Sequence, residues 1–229
     1  MVETTYRDAL RQALLDEMTS NPDVIIMGEE VGRYGGAYGV TKDLISQFGS
    51  ERVIDTPISE AAIVGAAVGA AMAGLMYVDF IGMTMDQLAN QAAKIRYMFG
   101  GQIGVPMVLR TQGGTGRSAG AQHSQSLESY VMHTPGLRLA MPATVSDAYH
   151  LLRQAMRQPD PVVFIEHKGL YTMKGELDVE AEADPWGQAK IMREGDDLVI
   201  VSYSRQLHYA LAAAETLAKS GVQACVIDL

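Results

Sequence analysis

Three short stretches hold the side chains able to do chemistry. The first is Asp55-Thr56-Pro57-Ile58-Ser59-Glu60, set between the apolar pair Val53-Ile54 and a long run rich in Ala and Gly. A short strand followed by a helix puts Glu60 in the first helical turn. That is the carboxyl end of a parallel sheet, where such folds bind ligands. An acid there can simply complement the helix dipole, worth about 0.3–1 kcal/mol. Beside the uncharged wall from Ala61 to Val78, the same carboxyl would instead lose hydration, rise in pKa and keep a proton. That is what a general acid needs at neutral pH. Residue type alone leaves both readings open.

The second stretch is the glycine-rich loop from Arg110 to Gln125, with Gly113, Gly114, Gly116 and Gly120. It matches neither the dinucleotide glycine fingerprint nor the nucleoside-triphosphate loop, so it is weak as a phosphate cradle. Its interest is His123, between Gln122 and Ser124-Gln125, at the expected start of a helix whose dipole would favour the neutral imidazole. A lone histidine is more often structural, although a loop position raises the functional odds. His133, His150, His167 and His208 show no metal-ligand spacing. Ser124 or Ser126 could join a nucleophilic triad, but no Gly-x-Ser-x-Gly elbow supports one. The third stretch, Gly28-Glu29-Glu30-Val31, follows an apolar run and could approach a ligand or be solvated.

These residues need elements to hold them. Apolar positions at Tyr6, Leu10, Ala13, Leu14 and Met18 predict a helix over 4–20. Val24 to Met27 reads as a buried strand, 41–48 as a short helix and Val53 to Asp55 as a strand. A long helix of small residues follows from Ser59, then a strand ending near Phe80 and a helix from Met83 to Phe99. The polar face of that last helix (Asp86, Gln87, Asn90, Gln91, Lys94, Arg96) suits packing better than chemistry. Val105 to Leu109, Leu137 to Met141 and Pro161 to Glu166 read as strands, with a helix over Ser146 to Arg157. Strands separated by helices imply an α/β fold, a mostly parallel sheet with helices on both faces.

The domain expected from this pattern covers 1–170. An acidic linker with Glu176, Asp178, Glu180, Glu182 and Asp184 covers 171–195, and 196–229 holds one fresh βαβ unit. A lone βαβ unit cannot bury its faces, so a truncated second domain, or one completed by another chain, is expected.

Composition excludes several classes. Lys and Arg number 18 against 27 Asp and Glu, a net charge of −9, which is unsuited to nucleic acid or an anionic membrane. Cys225 is the only cysteine, so no disulfide framework or cysteine zinc site is available, and a reducing, cytoplasmic setting is expected. The 18 uncharged residues from Ala61 to Val78 just reach spanning length, but their acidic flanks (Glu60, Asp79) favour a fully buried helix in a soluble protein. Gly65 and Gly69 within it would allow close helix packing.

In combination the motifs resemble a known family. They run in order from Gly28-Glu29-Glu30-Val31 and Asp55 to Glu60, through Asp86-Gln87, Asn90-Gln91-Ala92-Ala93-Lys94 and Ala121-Gln122-His123-Ser124-Gln125. Pro135-Gly136-Leu137, Pro161 to Phe164 and Glu166-His167-Lys168 complete the set. They look like the beta subunit of the thiamine-diphosphate-dependent decarboxylating component of 2-oxo acid dehydrogenases, with its transketolase-like pyrimidine-binding domain. The acetoin branch shares Arg96-Tyr97-Met98-Phe99-Gly100-Gly101.

The resemblance implies that Glu60 hydrogen-bonds the aminopyrimidine ring nitrogen and favours the imino tautomer that activates the thiazolium carbon. It implies that Phe80 packs on the pyrimidine ring and that Glu29 contacts the cofactor. His123 would sit near the reacting carbon and assist acyl transfer to a lipoyl group. A potassium ion would lie at Met107, Ala155, Gln158 and Asp160, held largely by carbonyl oxygens. Magnesium and the diphosphate would belong to an alpha subunit, because this chain lacks the Gly-Asp-Gly pattern that holds them; Gly195-Asp196-Asp197 has no second Gly. The implied partners are that alpha subunit, a second beta subunit and a lipoyl-bearing acyltransferase. Between Leu75 and Phe80 the chain is shorter than the family pattern, which would shift strand register or move Phe80. The alternatives are a non-catalytic assembly module of the same family and a deoxyxylulose-phosphate synthase fragment. The segment Ala121 to Gln125 argues against the latter.

Overall fold

In a computed structural model, which describes residues 1–70, 72–74, 77–116 and 119–229, the chain begins with β1 (Val2–Thr5) and α1 (Tyr6–Ser20). The Thr5 hydroxyl accepts the Asp8 N–H at 3.1 Å and so caps α1. Next come β2 (Ile26–Gly28), α2 (Leu44–Phe48), β3 (Val53–Asp55), α3 (Glu60–Ala70) and β4 (Met72–Gly74). A tight 3-10 segment (Val78–Thr84) and a wide-pitched one (Asp86–Ala92) lead into α4 (Ala93–Met98). Then follow β5 (Val108–Gly113), α5 (Glu128–Met132), β6 (Arg138–Ala140), α6 (Val145–Met156) and β7 (Val162–His167). The rear of the chain holds β8 (Lys174–Leu177), β9 (Lys190–Arg193), β10 (Leu198–Ser202), α7 (Ser204–Ala218) and β11 (Ala224–Asp228).

Six strands form one parallel sheet in the order β3-β2-β4-β5-β7-β6. Alternate side chains of a strand point to opposite faces. Val108, Val162 and Phe164 therefore meet Leu10 and Leu14 of α1 and Tyr149 and Leu152 of α6. Leu109, Val163 and Ile165 meet Ile63, Val64 and Ala67 of α3, together with Val78, Ile81 and Leu88. Burial on both faces explains why these strands read as unbroken apolar runs. Glu17 of α1 ties the first pair of helices: its carboxylate accepts from Arg153 at 2.7 Å and from Arg157 at 2.6 Å. The expected α/β class and parallel sheet are present.

Four expectations need correction. The run from Ala61 to Val78 is not one helix: α3 stops at Ala70 and β4 takes over. Nor is α3 buried all round, because Ala62, Gly65, Ala66 and Gly69 face outward. No strand ends at Phe80; that residue lies in the 3-10 segment, and Leu75 and Met76 before it fall outside the described residues. The expected helix over 83–99 is three successive helical pitches rather than one. Finally, the stretch 171–195 is not a bare connection. β8 pairs antiparallel with β1, Val2 opposite Leu177, and β9 pairs antiparallel with β11. Both strands form against partners remote in sequence, so local periodicity carries no trace of them.

Behind this, β10 and β11 run parallel, and α7 packs Leu207, Ala210 and Ala214 against Ala224, Val226 and Ala143. Among the described residues no helix is long and apolar enough to cross a membrane.

Candidate functional site

The chain steps from β2 outward to β3 and then back across to β4, so the strand order reverses at β2. In open parallel sheets that reversal leaves a crevice at the carboxyl ends. Glu60 enters it as the first residue of α3, immediately beyond β3. It is 9% exposed and has no hydrogen-bond partner among the described residues. The loop before it is held by Asp55, whose carboxylate accepts the Gly32 and Arg33 N–H groups at 2.6 and 2.9 Å. A carboxyl group drawn out of water without a partner costs stability, and such a group is a standing invitation to a ligand donor or acceptor.

Glu29 follows β2 at the same end and is 7% exposed. Its N–H donates to Gly74 O at 3.4 Å, where β4 ends. The two strands close so tightly that a Cβ on Gly28 would lie 2.1 Å from that oxygen, which leaves room for glycine only. Glu29, Gly74, Arg110, Thr111 and Gln112 line a small cavity together with residues of the 36–41 loop. Thr111 Oγ1 and Gln112 Oε1 are buried there without a hydrogen-bond partner among the described residues. Next to it Arg110 and Glu166 pair at 2.6 Å from neighbouring strands β5 and β7. Tyr171 donates its hydroxyl to the other Glu166 oxygen at 2.7 Å, and Tyr38 stacks on Tyr171 with ring centres 4.6 Å apart.

His123 closes a short 3-10 turn (Ala121–His123) rather than opening a helix; α5 starts only at Glu128. The dipole argument made for its imidazole therefore does not apply. Two aromatic rings meet that imidazole edge-on: Tyr77 at 4.6 Å between centres and Phe80 at 5.6 Å. The Lys168 ammonium donates to the His123 carbonyl oxygen. Asp79 accepts the Ser124 and Gln125 N–H groups at 3.1 and 3.0 Å. α3, which carries Glu60, packs on the 78–84 segment that bears Phe80. Phe80 and His123 thus touch directly, while Glu60 and Glu29 arrive at the same sheet end from β3 and β2.

Arg205 of α7 reaches the loop from behind. Its Nη1 donates to Thr115 O at 3.4 Å, and a Cβ on Gly116 or Gly169 would fall 2.3 or 2.5 Å from that nitrogen. Gly114 is just as crowded, because a Cβ there would meet His167 Nε2 at 2.2 Å. His167 accepts the Gly169 N–H on Nδ1, and burial holds its pKa down at about 4, with Arg205 and Lys168 adding to the shift.

The four residues tied to potassium converge at the opposite, amino end of β5 and β7. Met107 O accepts the Val162 N–H at 2.9 Å, and Ala155 O accepts the Gln158 N–H at 3.1 Å. Gln158 Oε1 accepts from Arg138 at 2.7 Å, and the Asp160 carboxylate lies between Arg96 and Arg138 at 2.9 and 3.3 Å. Two guanidinium groups already serve those side chains, so a cation here would depend on main-chain oxygens. No cluster of three or more His, Cys, Asp or Glu suited to a metal occurs among the described residues.

Arg110, Glu166, Lys168 and Asp79 were not picked out as site residues from the sequence. The signal available was charge inside otherwise apolar strand ends, as in Phe164-Ile165-Glu166-His167-Lys168.

A family model described as the transketolase pyrimidine-binding domain matches residues 2–174, and one for the transketolase C-terminal domain matches 187–229. The chain belongs to the transketolase pyrimidine-binding family. Within it, the relatives are beta subunits. The acetoin:2,6-dichlorophenolindophenol oxidoreductase subunit beta of Cupriavidus necator is 47% identical, over 96% of this chain and 70% of that protein. The pyruvate dehydrogenase E1 component subunit beta-2, mitochondrial, of Oryza sativa subsp. japonica is 46% identical, over 99% of this chain and 63% of its own length. The 2-oxoisovalerate dehydrogenase subunit beta of Bacillus subtilis is 43% identical over 98% and 71%.

The chain thus spans roughly two thirds of the curated relatives it matches. The aligned stretch with the first two is 237 residues, more than the 229 here, so those relatives carry residues that this chain lacks. Among solved structures, a chain described as a split gene transketolase, inactive beta4 tetramer, superposes with a TM-score of 0.78 at 19% identity, covering 98% of this chain and 70% of its own. A transketolase of Pichia stipitis gives 0.77 at 15%, covering 100% and 35%. At such identities these two speak for the transketolase pyrimidine-binding fold alone.

Proposed function

We propose that this chain is the beta subunit of a thiamine-diphosphate-dependent 2-oxo acid or acetoin dehydrogenase, working with an alpha subunit. The observation that carries the reading is Glu60, a carboxyl group 9% exposed at the carboxyl end of the sheet and left without a side-chain partner among the described residues. That carboxyl group suits a hydrogen bond with a pyrimidine ring nitrogen, and the aromatic edge formed by Phe80 and His123 fits a flat heterocycle. When bound, thiamine diphosphate supplies the electron sink for the pair released as carbon dioxide leaves a 2-oxo acid.

Glu60 would hold the proton shared with the pyrimidine ring nitrogen and so favour the imino form. Phe80 would pack against the ring, with Glu29 nearby at the β2 end. His123 would assist transfer of the acyl group to a lipoyl sulfur. The potassium reading rests on the carbonyl oxygens of the Met107, Ala155, Gln158 and Asp160 region, by resemblance to the family.

An alpha partner enters for two reasons. The sequence has no Gly-Asp-Gly cradle for magnesium and diphosphate, and its charge of −9 repels an anion. The outward face of α3, with Ala62, Gly65, Ala66 and Gly69, also lets another backbone approach closely. A second beta subunit and a lipoyl-bearing acyltransferase complete the assembly in this reading, in the cytoplasm; relatives named mitochondrial occur in rice and Arabidopsis.

The test is calorimetry with thiamine diphosphate and magnesium, with and without a co-expressed alpha chain, followed by turnover of pyruvate, 2-oxoisovalerate and acetoin. Binding is expected only with the partner, and Glu60→Gln should abolish decarboxylation while the assembly persists. Heat in neither case would favour the non-catalytic module. Normal turnover by Glu60→Gln would remove Glu60 from the mechanism.

A further inference from the structure

Lys168 is 1% exposed, the most deeply buried cation among the described residues, and it forms no ion pair among them. Burial pushes the Lys168 ammonium down in pKa and the nearby Asp79 carboxylate opposes that without pairing with it directly, so the one hydrogen bond the ammonium makes has to matter to the fold or to the site. That contact is the carbonyl oxygen of His123. The N–H on the other side of the same peptide unit belongs to Ser124, and Asp79 Oδ1 accepts it at 3.1 Å. The peptide bond linking His123 to Ser124 is therefore gripped at both poles, a cation at its oxygen and an anion at its N–H, which is the arrangement a peptide dipole favours. Asp79 also takes the Gln125 N–H at 3.0 Å, and Gly114 N–H donates to Gln125 O at 2.9 Å, which ties the far side of the loop. The Lys168 ammonium lies 5.3 Å from the centre of the Tyr77 ring, whose edge meets the His123 imidazole.

We propose that Lys168 and Asp79 are positioning residues for His123, fixing the plane of the His123–Ser124 peptide and thereby the direction in which the imidazole points. Neither touches the reacting atoms; both act through His123. The inference rests on the reading of His123 given above. Besides the Tyr77 and Phe80 rings, a side chain projecting from so short a turn has only its own peptide to orient it. His123 is half-buried, and its turn is three residues long. An error of about 1 Å in such a group can cost on the order of 100-fold in rate.

The experiment uses the complex with the alpha chain and free lipoamide as acyl acceptor, comparing Lys168→Met, Asp79→Asn, His123→Ala and the double variant Lys168→Met/His123→Ala. Lys168→Met is expected to lower kcat by about 10- to 100-fold with KM within about twofold. Amide exchange at Ser124 and Gln125 should rise by at least about tenfold in the same variant. In the His123→Ala background the lysine change should cost nothing further, because its effect passes through the imidazole. Lys168→Arg, which keeps the donor and the charge, should restore protection.

Unchanged exchange and unchanged kcat in Lys168→Met would overturn the proposal, and so would an equal loss of kcat with and without His123. If Lys168→Met fails to fold, Asp79→Asn asks the same question from the N–H side of the peptide, with the same two outcomes. Full activity in His123→Ala alone would instead sink the role given to His123, and the exchange data would still decide whether the clamp exists.

Discussion

Arg110 and Glu166 meet at 2.6 Å across adjacent parallel strands, with side chains 10% and 1% exposed. Their charges neutralise each other in a region where neither would survive alone, and the Tyr171 hydroxyl satisfies the second carboxylate oxygen. Removing one member of such a pair typically costs about 3–5 kcal/mol, because the other charge stays buried. Glu166→Gln should therefore lower the thermal midpoint sharply. Replacing both residues with apolar groups of similar volume should recover much of the loss. Thermal unfolding of the two variants side by side checks this, and a negligible shift in Glu166→Gln would show that water reaches Arg110.

Gly114→Ala should be costly for two independent reasons. Its φ of +85° is a backbone conformation that an L side chain resists, and the new methyl would fall 2.2 Å from His167 Nε2. Strain of this kind costs about 1–3 kcal/mol before any displacement of the imidazole is counted. A fall in thermal midpoint, together with altered exchange at Gln125, whose carbonyl accepts the Gly114 N–H, is the expected pattern. Stability equal to the parent chain would mean that the 114–116 turn relaxes freely.

Acid should weaken the fold through His167. Burial, helped by Arg205 and Lys168, pushes its pKa from 6.5 to about 4. Between those values the unfolded chain binds a proton that the folded chain refuses, so stability falls as pH drops from 6.5 towards 4. Asp228 works in the opposite sense. Its carboxyl is raised to about 7, chiefly by burial, with Asp147 adding, so the folded state holds the proton more tightly. The difference between parent and His167→Gln separates the two. The parent's advantage in thermal midpoint should shrink on acidification, and parallel curves would show that His167 takes up a proton freely in the fold.

Glu60→Gln should leave the stability of the isolated chain unchanged or raise it. The carboxyl group is buried with no partner among the described residues, so a neutral amide of the same shape removes a desolvation cost and breaks no contact. Sites shaped for a ligand commonly trade stability for function in this way. Calorimetric unfolding of the parent and the variant, each without partner and cofactor, measures the sign. A marked loss of stability would mean that Glu60 serves the fold of its own chain.

The sheet was readable because its strands are buried on both faces and announce themselves as apolar runs, Val162 to Ile165 being the plainest. Glu60 was readable because strand, turn and helix start follow one another within eight residues, Val53 to Glu60. Reading failed wherever structure depends on distant partners. β8 exists because β1 offers it an edge, and Lys174 to Leu177 alone shows no alternation. Tyr77, Val78 and Phe80 are good strand formers, yet packing of Val78 and Ile81 against α3 curls the segment into a tight helix. The link of Lys168 and Asp79 to His123 is not legible in the sequence because the peptide they hold is 45 residues from each of them.

Arg205 belongs to α7, in the rear βαβ unit, yet its guanidinium nests where Gly116 and Gly169 of the front unit leave bare backbone. The join between the units is therefore also the back wall of the histidine loop. A shift of α7 along its axis would be felt both at Thr115 and at Ala143, whose carbonyl oxygen lies 2.9 Å from His208 Nε2 just beyond β6. Whatever docks against the rear unit has a mechanical handle on the front one.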